Sequence, residues 1–163
     1  MPGIVGIIDQ NFRRENRADL EAMLTSLLHE SFYKSGTFVN EQLGLSIGWA
    51  AHPGSFADGM PVWNESKSIC LFFSGEDYQC RNGIHRAATE GRQIIEENAG
   101  NIVRLYEELG LKFLDRLNGW FSGLIVDFRQ QQVFLFNDRY GVGRICYHEY
   151  DGKFYFASKQ SRF

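Results

Sequence analysis

Pro2-Gly3-Ile4-Val5-Gly6-Ile7-Ile8-Asp9 is the stretch of this sequence that decides its fold. Its apolar, β-branched run predicts a buried strand at the very start of the chain. Glycines stand at positions 3 and 6, and a proline without any side-chain nucleophile precedes the strand. The polar residues 11–16 that follow predict a loop.

The composition limits the kinds of protein that this chain can be. The 163 residues are 44% hydrophobic and 23% charged with a net charge of −3, which predicts one globular domain and gives no reason to expect a nucleic-acid partner. The three cysteines, Cys70, Cys80 and Cys146, fit neither a disulfide framework nor a zinc site, which favours a reducing compartment. No signal peptide and no apolar run of about 20 residues is found. We therefore expect a cytoplasmic protein with no membrane partner.

Periodicity predicts strands, then helices, then strands. Apolar spacing indicates helices over 18–30, 85–97, 101–109 and 111–117, with a break at 98–100 and a stop at Gly110. Strands are expected over 44–50, 68–74, 120–128, 132–137, 145–150 and 154–158, with hairpin connections at 129–131 and at Asp151-Gly152. This order is typical of a layered α+β domain rather than of alternating βαβ units.

Four segments carry a family resemblance. They are residues 2–8, Phe73-Ser74-Gly75-Glu76-Asp77-Tyr78, Leu117-Asn118-Gly119-Trp120-Phe121 running into residues 134–141, and Phe154-Tyr155-Phe156-Ala157-Ser158. In this order, over nearly the whole chain, they resemble the class II glutamine amidotransferase domain of asparagine synthetases of the B type. The resemblance implies an N-terminal nucleophile hydrolase fold, a four-layer αββα sandwich of two antiparallel sheets.

The resemblance also implies an organisation and partners. Residues 1–163 would form one amidotransferase-like domain, the N-terminal part of a longer protein of asparagine biosynthesis. A C-terminal synthetase domain or subunit would be the partner, and ATP and Mg²⁺ would serve that part rather than this domain. Glutamine and a second copy of the chain are further expected partners.

Pro2 occupies the position of the family's nucleophile. In the family the initiator methionine is removed and the exposed cysteine attacks glutamine, with its own α-amine as base. Proline cannot form the thioester intermediate, although its secondary amine could act as a base once freed. The alternative is that Pro2 only begins a strand, where a missing N–H costs little.

Ser74, Gly75 and Glu76 correspond to the family's oxyanion and ammonium contacts. Ser74 stands where the family has an asparagine, whose side-chain amide cradles the oxyanion together with the N–H of the next glycine. A serine hydroxyl donates one hydrogen bond over a shorter reach. Glu76 matches the glutamate that holds the substrate's ammonium group. The alternative is that the segment has only a structural role, as a strand end followed by a turn.

The remaining anchors are missing or neutral. The family's carboxylate-binding arginine would lie near residues 44–52, where only His52 is a candidate cation, more simply explained as a loop histidine. Imidazole does not replace a bidentate arginine without loss. Asn101 aligns near the family's second ammonium anchor, an aspartate, and could equally be the N-cap of the helix that follows it. Asp138 and Arg139 predict a turn with an ion pair, and Gly141 supplies its permissive backbone.

Concerted change at four functions predicts an amidotransferase-like domain that has lost its glutaminase, a pseudoenzyme with a structural or docking role. Two alternatives stay open. The domain could be a working glutaminase, with Pro2 an artefact of cloning or of an incorrect start, or a stand-alone module that binds a small molecule. The four histidines are too scattered to predict a metal site.

Overall fold

The computed structural model describes residues 2–56, 58–78 and 91–160. Its elements follow the expected order of strands, helices and strands. They are β1 (Gly3–Ile8), α1 (Asn16–Thr25), β2 (Lys34–Asn40), β3 (Leu45–Ala51), β4 (Val62–Trp63), β5 (Ile69–Asp77), α2 (Gly91–Leu109), a 3₁₀ helix (Gly110–Arg116), β6 (Gly119–Asp127), β7 (Gln132–Asn137), β8 (Gly143–Tyr150) and β9 (Lys153–Gln160).

The strands form two antiparallel sheets. Sheet A has the order β2-β3-β1-β9-β8, and sheet B has the order β4-β5-β6-β7. The first strand therefore lies at the centre of sheet A, between β3 and β9. This position explains why its β-branched residues are almost wholly buried.

Three apolar clusters separate four layers. Side chains of both sheets, such as Ile4, Phe72 and Leu124, fill the space between the sheets. Val5 and Ile7, on the opposite face of β1, pack against α1. The outer face of sheet B packs against α2 and the 3₁₀ helix through residues that include Phe73, Ile102, Tyr106, Phe113 and Ile125. The predicted αββα sandwich is confirmed.

Helix α1 is shorter than its apolar spacing predicts. The expected helix over 18–30 ends at Thr25. At that point the Thr25 hydroxyl donates to the carbonyl of Glu21 at 2.8 Å, and the Ser26 hydroxyl donates to the carbonyl of Met23 at 2.6 Å. Such hydroxyl bonds compete with the helical ladder. The helix is held to sheet A by a buried lysine, because Lys153 Nζ lies 3.3 Å from the Asp19 carboxylate.

The predicted helix break at 98–100 is wrong. The helix runs without interruption from Gly91 to Leu109, although part of the expected helix over 85–97 lies outside the described residues. A glycine inside a helix costs about 1 kcal/mol relative to alanine. Burial of Ala99, Ile102 and Val103 offsets this cost. The predicted stop is confirmed, since Gly110 has a φ of +56° directly after the helix.

Candidate functional site

The start of β1 lies at one end of the sandwich. Pro2 is half-buried and directly precedes the strand. The N–H of Ile4 donates to the Ser158 hydroxyl at 2.8 Å, which ties the start of β1 to the end of β9. Gly143, the first residue of β8, pairs with Gln160 of β9. The same end of sheet A thus carries Pro2 and the beginning of β8.

Ser74, Gly75 and Glu76 lie on the last part of β5. The register pairs Ser74 with Ser122 and Glu76 with Trp120, on the face of sheet B that is turned towards sheet A. Ser74 is buried and Glu76 is exposed. Inside the described ranges, no hydrogen bond of the Ser74 hydroxyl is observed, and the residue is 3% exposed.

Gly75 keeps the backbone geometry of the segment. Its φ is +118°, and a Cβ built on it would lie 2.0 Å from the carbonyl oxygen of Trp120. No other residue fits this position without moving β6. The tight contact between β5 and β6 thus fixes where the N–H of Gly75 points.

Asp138 joins the two sheets beside this segment. Its buried carboxylate accepts the N–H of Gly143 in sheet A and, at 3.4 Å, the N–H of Phe121 in sheet B. Phe121 is the register partner of Gly75. Because Gly143 lies at the end of sheet A that carries Pro2, the strand ends with Pro2 and with Ser74–Glu76 lie at the same end of the sandwich.

The predicted ion pair between Asp138 and Arg139 is wrong. The carboxylate is bound by backbone donors, with the N–H of Tyr140 at 2.9 Å and that of Val142 at 3.1 Å. Burial alone would raise the pKa of Asp138, but these N–H donors and those of Gly143 and Phe121 outweigh it and lower the pKa. The predicted turn itself is confirmed, and Gly141 has a φ of +67°.

The 44–52 segment offers no carboxylate clamp. Gly44 lies at the opposite end of sheet A from Pro2, where its carbonyl accepts the N–H of Asp9 at 2.8 Å. The His52 ring is stacked on Phe32, with centroids 5.7 Å apart, and meets the edge of Tyr33 at 4.9 Å. His52 therefore belongs to a surface aromatic cluster.

Asn101 lies on the other side of sheet B. It is inside α2 rather than at its start, so the expected N-cap role is wrong. Its neighbours Ile102 and Val103 pack against the outer face of sheet B, and Asn101 lines a cleft with Asp77 at the end of β5. Asp77 is buried and accepts the N–H of Asn118 at 2.9 Å. Asn101 is thus on the α2 side, whereas Ser74 and Glu76 face sheet A.

An aromatic pair at the site, an exposed tryptophan and a half-buried tyrosine, was not anticipated from the sequence. Trp120 is 58% exposed and meets the ring of Tyr78 edge to face, with centroids 6.2 Å apart. Only the cross-strand register with Glu76 reveals that this tryptophan borders the site. A tryptophan in an apolar strand otherwise indicates core.

Neither of the two cysteines in the described ranges belongs to the candidate site. Cys70 is buried within the sheets, and burial raises its pKa to about 12. Cys146 is exposed on β8, and Cys80 lies outside the described residues. Within the described residues, no group of three metal-ligating side chains comes together and no helix combines the length and apolar character of a membrane span.

Comparison with known proteins agrees with this geometry. The model of the glutamine amidotransferase domain family matches residues 1–163. A glutamine-hydrolysing asparagine synthetase of Bacillus subtilis is 28% identical over 98% of this chain and 22% of its own length. One from Arabidopsis thaliana is 26% identical over 96% of this chain and 27% of its own length. The amidase chyE of Penicillium rubens is 26% identical over 67% of this chain and 16% of its own length.

The chain spans about a quarter of the length of the asparagine synthetases it matches. The family match, by contrast, covers all of it. Two antiparallel sheets between helical layers are the architecture that the resemblance implies. The chain belongs to the glutamine amidotransferase domain family.

Proposed function

We propose that this domain has lost glutamine hydrolysis and serves as the N-terminal structural or docking part of an asparagine synthetase-like protein. The observation that carries the proposal is Pro2 at the head of the central strand of sheet A. Hydrolysis through a covalent intermediate needs a side-chain nucleophile at that point. Proline supplies none.

The oxyanion contact is weakened rather than absent. Gly75 retains a backbone conformation that only glycine adopts readily, so its N–H remains fixed by β6. Ser74 replaces an amide donor with a hydroxyl carried on a shorter side chain. Loss of one oxyanion donor alone costs about 10²–10³ in rate.

The substrate clamps support the same conclusion. The carboxylate end of glutamine would find no arginine in residues 44–52, where the candidate cation, His52, is stacked on Phe32 and meets the edge of Tyr33. Asn101, the residue nearest the second ammonium anchor, is uncharged and lies on the α2 side of sheet B. A pocket with these substitutions has little affinity for glutamine.

The proposed partner is the synthetase part of the same or an associated polypeptide. The matched asparagine synthetases are about four times as long as this chain, which supports such a partner. We assign any step that uses ATP and Mg²⁺, and the choice of nitrogen donor, to that partner. Self-association and a cytoplasmic location are parts of the same proposal.

Ammonia release from glutamine tests the proposal. We expect none above the protein-free blank from the parent chain, from Pro2→Cys, or from the matched control Pro53→Cys, which puts a thiol on an exposed loop. Glutamine-dependent ammonia from the parent chain would overturn the proposal. Release by Pro2→Cys alone would show that the pocket still binds glutamine and that only the nucleophile is missing.

Mass spectrometry of the N-terminus completes the test. Retention of Met1 excludes any chemistry by a free Pro2 amine. If Met1 is removed, an activity of the parent chain that is lost in Pro2→Ala would assign it to that amine and contradict the proposal.

A further inference from the structure

A cleft lies on the opposite face of sheet B from the candidate site. An open cleft of about 470 Å³ is formed between α2, the 3₁₀ helix and the end of β5. Its volume is within the range of small-molecule sites, about 300–1,000 Å³. It faces away from Ser74 and Glu76, so it is separate from the amidotransferase pocket.

Two arginines from different elements converge on this cleft. Arg104 comes from α2, and Arg116 is the last residue of the 3₁₀ helix. In the described ranges of the chain, neither guanidinium forms an ion pair or a hydrogen bond. Two such groups on one cleft form a receptor for a carboxylate, because each presents a planar fork of donors.

The same wall of α2 presents groups of other chemistry. Glu108 follows Arg104 by one helical turn and, among the described residues, also makes no ion pair. Asn101 precedes Arg104 on the same helix face, and Leu105 and Leu109 supply the apolar part of the lining. A ligand that satisfies the two arginines and Glu108 carries both a carboxylate and an ammonium group.

We propose that the cleft binds a free α-amino acid as its zwitterion. The carboxylate lies between Arg104 and Arg116, and the ammonium group donates to Glu108. Asn101 offers an amide to either end of the ligand. This proposal goes beyond the proposed function, since it involves none of the residues at Pro2, Ser74 or Gly75 and shares only Asn101 with the earlier argument.

A titration of the full chain with glycine at pH 7, followed by ¹H–¹⁵N NMR, tests the proposal. Glycine carries the two charged groups and no side chain. We expect saturable shifts of the Arg104 and Arg116 side-chain resonances and of the backbone amides over 101–109. Acetate and methylammonium, with one charge each, should bind at least tenfold more weakly.

Variants locate the site. Arg104→Gln, Arg116→Gln and Glu108→Gln should each weaken glycine binding about five- to tenfold, since each removes one charged contact. Arg139→Gln, an exposed arginine on the Asp138 turn, is the matched control and should bind glycine as the parent does. All four positions are exposed, and circular dichroism checks that the variants fold.

Three results would overturn the proposal. One is the absence of saturable shifts up to 100 mM glycine. Another is acetate binding as tightly as glycine, which would make the cleft a simple anion site. The third is glycine binding that the three substitutions leave unchanged. None of these results bears on ammonia release, so this proposal and the proposed function stand or fall separately.

Discussion

Replacing Asp138 by asparagine should destabilise the fold strongly, because this carboxylate joins the two sheets next to the candidate site. One oxygen, Oδ1, accepts the N–H groups of Tyr140 and Val142, and the other, Oδ2, accepts those of Gly143 and Phe121. An asparagine keeps one accepting oxygen and turns an NH₂ group towards the other two donors. At least one strong charge-assisted hydrogen bond is therefore lost and a buried donor is left unpaired.

The magnitude follows from these contacts. A hydrogen bond to a charged group contributes about 1.5–3 kcal/mol, and an unsatisfied buried donor costs about 1–3 kcal/mol. Since Phe121 N lies at 3.4 Å and contributes little, we expect Asp138→Asn to lower the free energy of unfolding by about 2–4 kcal/mol. Urea denaturation at pH 7 measures this. The matched control Asp115→Asn, on the exposed surface of the 3₁₀ helix, should change stability by less than about 0.5 kcal/mol.

The pH dependence gives a second readout. The pKa of Asp138 is lowered in the folded protein, so its stabilisation is fully present above the unfolded pKa and is lost as the pH falls through the folded value. The difference in the free energy of unfolding between the parent and Asp138→Asn should be constant from about pH 5 to 7 and should become smaller below about pH 4. A difference in the free energy of unfolding under about 0.5 kcal/mol at pH 7, or a difference that does not become smaller below about pH 4, would refute the reasoning.

Three further predictions concern other parts of the fold. Gly75→Ala should lower the free energy of unfolding by about 3 kcal/mol, because the new Cβ meets the Trp120 carbonyl in a strained backbone; unchanged urea denaturation would contradict this. Lys153→Met should lower the free energy of unfolding by about 1–2 kcal/mol, because it removes the buried partner of the half-exposed Asp19 carboxylate on α1. Backbone hydrogen exchange in α1 should then be faster, and equal exchange in parent and variant would refute this prediction. A thiol reagent at pH 8 should label Cys146 and spare Cys70, whose pKa is raised to about 12 by burial; peptide mapping that finds both labelled in the folded protein would contradict the burial.

The strongly patterned elements could be predicted from the sequence. Strand β7 spans the expected residues 132–137, and the Asp151-Gly152 turn has positive φ at both residues, as a two-residue hairpin requires. The central strand was evident from its β-branched run. In these segments local preference and tertiary packing agree.

Elements that depend on a partner strand could not be predicted. Strand β2, from Lys34 to Asn40, was missed because it is a polar edge strand, stabilised by pairing with β3 and by the Trp49 ring lying over Gly36. The two-residue β4 is too short to show a period.

The candidate site was anticipated in part. The order of the site's segments along the chain is visible in the sequence. The face of sheet B on which each residue lies is not. Asn101 is close in sequence to the expected anchor, and only the packing of α2 places it on the outer face. The adjacent arginine predicts an ion pair for Asp138, whereas in the structure the loop's own N–H groups donate to the carboxylate.

A crystallographic soak in glutamine tests the central claim most directly, with the parent chain and Pro2→Cys treated alike. The claim is that the amidotransferase scaffold persists while its reactive terminus and substrate clamps are gone. We predict the same sandwich in both proteins, with no glutamine beside the first strand and no adduct on the introduced sulfur. Density for glutamine between the start of β1 and the end of β5, or for a thioester in Pro2→Cys, would contradict it.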